Sequence, residues 1–163
     1  MEPRPEALAA VELQTAVLVR HFEMVYRRTG IHDDLDRAEY LLLRTLDESG
    51  PQDINTLAAS LGLDPSTAGR QVSALQAAGL AVRSPAPADR RRSIVTPTPE
   101  GLRQMKHVQQ LRAECVADLL TDWSDEDVHA LGAMFDKYNK SVATRYFTGA
   151  PPLAGSARPT AST

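Results

Sequence analysis

Residues 63–101 read LDPSTAGRQVSALQAAGLAVRSPAPADRRRSIVTPTPEG. Asp64 followed by Pro65 predicts a helix start: the carboxylate can cap orphan N–H groups, and proline at the first helical position gives up an N–H that would have no intrahelical partner. Ala68, Val72 and Leu75 then recur at helical spacing, and Gly79 marks the end. Beyond it, LAVR and SIVT are β-prone runs separated by about nine residues that include Pro85 and Pro87, which predicts a two-stranded hairpin with a long tip. Arg90, Arg91 and Arg92 fall at that tip, directly after Asp89.

Upstream, DINTLAASLG predicts a helix of about two turns, with Asp53 as cap, Leu57 and Leu61 on one face, and Gly62 as a left-handed terminator. Joined to the next helix by the short GLD link, it forms a helix-turn-helix, two helices crossing steeply around a glycine-bearing turn. Ser66, Thr67, Arg70 and Gln71 are expected on the solvent face of the second helix, opposite its apolar stripe. Those side chains suit major-groove reading, since Arg bridges guanine O6 and N7, Gln pairs with adenine, and hydroxyls reach bases or phosphates. The helix N-terminus adds N–H groups and a positive dipole end for phosphate.

Charge agrees with that placement. The chain carries a formal net charge of −3, yet between Asp64 and Arg92 five arginines face two aspartates, a local +3 that leaves −6 for the remainder. Local concentration of cations in an acidic chain points to a polyanion contact confined to this segment.

The flanking sequence predicts more helix. Leu8, Val11, Thr15, Leu18, Phe22 and Val25 advance by threes and fours along one narrow stripe ending near RRTG. DRAEYLLLRTLDESG offers Asp36 and Glu39 as a capping box and closes at Gly50. From Thr98 and Pro99 a long helix carries Met105, Val108, Leu111, Cys115 and Leu119, with Gly101 weakening only its first turn. In the last helix Trp123, Ser124, Asp127 and Val128 match both a capping box and a hydrophobic staple, and Val128, Leu131, Phe135, Tyr138 and Val142 repeat the three-four rhythm. Residues 149–163, rich in Pro, Ala, Gly, Ser and Thr, are expected to be disordered.

Taken together, INTLAASLGLDPSTAGRQVSALQAAGLAVRSPAPADRRRSIVTPTPEG resembles the winged helix-turn-helix core of the MarR family of bacterial transcription regulators, through its helix exit LQAAGLAVR, the DRR of the wing and the following TPEG. The resemblance implies a mainly α fold with a small β-hairpin wing (α+β), as one domain over residues 1–148. Within it the helix-turn-helix spans 54–79, the wing 80–97, and dimerisation helices 6–29 and 99–147. It implies a homodimer whose first and last helices interleave, and Asp89 orienting Arg91 toward the minor groove of double-stranded DNA. It also implies a pocket for a small-molecule effector, for which Arg20, His21, Arg28, Tyr40 and Arg44 are candidate lining residues. Two departures stand out: Arg92 occupies a position where a small residue is commoner, and Pro97 is expected to interrupt the end of the second wing strand. The order of preference for the minor groove is Arg91, then Arg90, then Arg92.

The implied function is a ligand-responsive regulator, a repressor on a pseudo-palindromic operator. Two alternatives remain: a winged-helix module that binds protein, and a thiol sensor using Cys115, for which simple packing is the preferred role. No cofactor or metal site is implied, because His21, His32, His107 and His129 form no ligand cluster in the sequence. The carboxylates of DDLD and SDED sit where they cap helices, so no enzyme is expected. No apolar run approaches the roughly 20 residues that span a bilayer, and the expected location is the cytoplasm.

Overall fold

The computed structural model describes residues 4–147, which fall into two compact units, 4–34 and 35–147. The first holds α1 (Pro5–Thr29), closed by Gly30 at φ 64° donating to the Tyr26 carbonyl. Phe22 stacks on Tyr26 with ring centroids 5.9 Å apart, and Tyr26 meets His32 edge-on at 4.9 Å. None of the residues of α1 is buried, and Leu8, Val11 and Phe22 of its apolar stripe are exposed.

The second unit contains α2 (Arg37–Ser49), β1 (Gln52–Asp53), α3 (Ile54–Leu61), α4 (Pro65–Ala77), β2 (Ala81–Pro85), β3 (Ser93–Pro97), α5 (Pro99–Leu119) and α6 (Asp125–Tyr146). Its core is centred on α2, which packs on α3, α4, α5 and β3. Leu42, Leu43, Leu57, Val72, Leu75, Val95 and Met105 are fully buried there. The capping box at Asp36 forms with both arms in place, at 2.8 and 3.1 Å. The buried Thr45 hydroxyl donates to the Leu41 carbonyl at 2.8 Å, so this polar group in the core is satisfied within its own helix.

The sheet is three-stranded and antiparallel in the order β1-β3-β2, where two strands were expected. The additional strand pairs Gln52 with Val95 and Asp53 with Ile94. Two residues are too short for any alternating pattern to show in sequence. Pro97 stands at the end of β3, as expected, opposite Ala81 and beyond the reach of β1, where its missing N–H leaves no ladder bond unmade.

Other local expectations are sharpened. After α4, Gly79 at φ 73° lets its own N–H return to the Gln76 carbonyl and that of Leu80 to Leu75, a paired closure that needs a left-handed residue. Gly101 does more than loosen a turn, since a Cβ there would stand 2.1 Å from the Leu80 carbonyl oxygen. Thr98 reinforces that approach, its hydroxyl donating to Gly79 O at 2.7 Å and its N–H to Leu80 O at 3.0 Å. At α6 only half of the expected capping box forms: Asp127 N–H donates to Ser124 Oγ at 3.2 Å, but the Asp127 carboxylate accepts the serine hydroxyl rather than the backbone N–H.

The apolar stripe of α5 is buried at Met105 and Val108, half-buried at Leu111 and Cys115, and exposed at Leu119. Helix α6 buries only Ala143, leaving Val128, Phe135 and Tyr138 exposed. Its last turn leads to Phe147, whose ring lies where a Cβ on Gly62 would be, 2.3 Å from that position. The left-handed glycine of the helix-turn-helix therefore also seats an aromatic ring. The expectation for residues 149–163 lies outside the described residues.

Candidate nucleic-acid interface

Helix α4 turns Ala68, Val72 and Leu75 into the core, and Ser66, Arg70 and Ser73 remain exposed on the other side. Its N-terminus is already occupied: the Asp64 carboxylate accepts the Thr67 N–H at 2.9 Å and the hydroxyls of Ser66 and Thr67. These donors, the Ser66 hydroxyl foremost, hold the Asp64 carboxyl well below the usual carboxylate range. The negative cap makes the α4 terminus a poor phosphate seat, contrary to the sequence-based expectation. In this arrangement both hydroxyl protons are directed to Asp64.

Thr67 is half-buried and accepts from the Arg70 guanidinium at 3.0 Å, which steadies that arginine along the helix. Gln71 departs from its expected place. Five residues on from Ser66 it stands about 140° around the helix, at the margin of the buried stripe. It is half-buried, and its Oε1 is shielded from solvent with no hydrogen-bond partner among the described residues. Ser73, which sequence reasoning passed over, holds the exposed position instead; its seven-residue spacing from Ser66, two helical turns, was the available signal.

Arg83 was counted with the local positive charge, but it serves the fold. From β2 it donates to the Gly69 carbonyl and to Ser73 Oγ, both at 3.0 Å, tying the wing to the middle of α4. At the tip, Asp89 Oδ1 accepts the backbone N–H of Arg91 at 3.0 Å, and Arg92 N–H donates to the Asp89 carbonyl at 3.0 Å. Asp89 thus shapes the turn through the backbone, and the guanidinium groups of Arg90 and Arg91 are exposed without an ion pair among the described residues. Arg92 is paired with Asp53.

Of the residues put forward for an effector, Arg20, His21 and Arg28 are exposed on α1. Tyr40 is buried on α2 with the Arg112 guanidinium 5.2 Å from its ring centroid, and Arg44 one turn on is paired with Glu48. The structure thus brings Tyr40 and Arg44 together on one helix, each already engaged. Cys115 is a half-buried free thiol on α5. Among the described residues no three His, Cys, Asp or Glu side chains gather as a metal site would require, and no helix is long and apolar enough to cross a membrane.

A helix-turn-helix joined to a hairpin wing whose tip carries free cations defines a winged-helix DNA-binding protein. The profile of the MarR family matches residues 35–93, from just before α2 to the first residue of β3. The uncharacterized HTH-type transcriptional regulator YxaD of Bacillus subtilis is 37% identical over 134 residues, spanning 80% of this chain and 92% of its own. Among solved structures, a MarR family protein from Bacillus stearothermophilus superposes with a TM-score of 0.73 at 18% identity, covering 86% of this chain and 99% of that one. BpsR of Bordetella bronchiseptica, whose DNA binding is regulated by 6-hydroxynicotinic acid, gives a TM-score of 0.68 at 20% identity, with coverage of 84% and 97%. The chain belongs to the MarR family and is a transcriptional regulator.

Proposed function

We propose that the chain acts in the cytoplasm as a homodimeric, ligand-responsive repressor that grips a pseudo-palindromic operator. Helix α4 enters the major groove with Ser66, Arg70 and Ser73 toward the bases, and the wing tip brings Arg91, with Arg90 beside it, to the minor groove. The observation that carries this reading is the division of labour among the arginines: Arg83 and Arg92 are consumed by the fold, while Arg90 and Arg91 stand exposed on a turn shaped by Asp89.

Dimerisation is supported by two long helices, α1 and α6, whose apolar stripes each unit leaves exposed. A small aromatic acid is our choice of effector class, after the regulated DNA binding named for BpsR. An effector acts by favouring a dimer whose two α4 helices are wrongly spaced for successive major grooves. Titration of duplex DNA over a salt series tests the core of the reading. A steep loss of affinity with salt supports it, and the absence of duplex binding at low salt defeats it.

A further inference from the structure

Arg92 is the last of three consecutive wing arginines, yet its guanidinium turns back to Asp53, 39 residues earlier in the chain. Asp53 is a demanding partner, its side chain only 10% exposed. Its Oδ1 accepts the Thr56 N–H at 3.0 Å and so caps α3; its Oδ2 accepts the Thr56 hydroxyl at 3.3 Å as well as Arg92; and its backbone pairs with Ile94 in the β1–β3 ladder. On the wing side, Arg92 closes the tip through its own backbone, its N–H donating to Asp89 O at 3.0 Å and its carbonyl accepting the Ala86 N–H at 2.9 Å. One residue thus closes the wing turn with its main chain and fastens the wing to the first helix of the helix-turn-helix with its side chain.

We propose that Arg92 is a positioning residue rather than a DNA contact, a latch that fixes the attitude of the wing so that Arg90 and Arg91 meet the duplex. The inference rests on the DNA-binding reading above. Moving the guanidinium onto a phosphate would strand a shielded carboxylate without its cation. The Thr56 amide foremost, and Arg92 after it, hold the Asp53 carboxyl below its ordinary value against the opposing effect of burial, so the partner charge is present at neutral pH. A hairpin tip that is pinned before binding has fewer conformations to lose on docking.

The test compares the full chain with Arg92→Ala, Asp53→Asn, the double variant and Arg91→Ala. Binding is measured by fluorescence anisotropy on mixed-sequence duplex DNA over a salt series, and wing amide exchange is measured without DNA. Asparagine preserves the cap acceptor of α3, so helix content is unchanged. The latch predicts that Arg92→Ala and Asp53→Asn weaken binding by similar factors, up to about fivefold, without altering the salt slope, and that the double variant is no weaker than either single one. Arg91→Ala, by contrast, flattens the slope by about one for each bound protomer. The amides of Ala86 and of residues 88–92 exchange faster in both latch variants. The proposal is overturned if Arg92→Ala flattens the slope as Arg91→Ala does while Asp53→Asn leaves binding intact or tightens it. Unchanged amide protection in the latch variants also overturns it. If the wild-type chain binds no duplex at all, the DNA-binding reading falls, and amide exchange alone decides the latch.

Discussion

Helices α2 and α6 lie in the same unit and are packed in opposite ways. In 13 residues α2 buries Tyr40, Leu42, Leu43, Thr45 and Leu46, whereas α6, with 22 residues, buries Ala143 alone. Both are well started, α2 by a full capping box and α6 by Ser124 with three acidic residues in its first turn. Capping therefore does not distinguish them; burial does. Tertiary packing rather than propensity supplies most helical stability, so α2 is held by this chain's own core, while α6 leaves Phe135 and Tyr138 exposed. Considered separately, α1 shows the same deficit, with 25 residues and none buried.

The most severe way to break the contrast is in the core. Leu57→Ala removes a fully buried side chain of α3, inside the helix-turn-helix, and lowers stability by about 2 to 5 kcal/mol, measured as a reduced denaturation midpoint. Gly101→Ala belongs to the same class, because its methyl would meet backbone that is itself hydrogen-bonded by Thr98. Next in size is Phe135→Glu on α6, which is expected to leave the core folded and convert a dimer into a monomer by light scattering. The concentration dependence of the melting temperature disappears with it. A wild-type chain already monomeric at micromolar concentration would remove the contrast between the two helices.

Arg91→Ala tests the wing at an intermediate scale: the fold is unaffected and the dependence of log affinity on log salt becomes shallower by about one for each bound protomer. The smallest effect is an acid-side one. Asp53 has a folded pKa below its ordinary 3.8, so its contribution is complete above that value and is lost as pH falls through the lower folded value. The stability difference between wild type and Asp53→Asn should therefore be constant from neutral pH down to the ordinary value of 3.8 and fall away at stronger acidity. Its size is held to less than about 1 kcal/mol by the solvent exposure of Arg92. A difference that grew with acid would contradict the assigned direction.

How much was legible before the structure follows from the range of the interactions involved. Asp36, Asp53, Asp64, Thr98 and Ser124 all cap as their sequence neighbourhoods predict, because a cap acts on an N–H three residues away. Gly62 and Gly79 take the left-handed conformations that helix ends favour, for the same local reason. The buried stripe of α4 was readable from its spacing. Gln71 was not, since a position at the edge of a stripe is assigned to solvent or core by its neighbours in space.

The arginines illustrate the boundary most plainly. Their number and clustering, and the capped helices on either side of them, belong to the order of residues, and that order carried the family and the winged helix-turn-helix. Which of the arginines are free is a matter of folding. Arg83 meets the Gly69 carbonyl 14 residues away, Arg92 meets Asp53 at 39, and the Gly62 turn receives Phe147 from the end of α6. Linear periodicity carries no record of such pairings, because a side chain's partner across the fold depends on which backbone segments the core draws together.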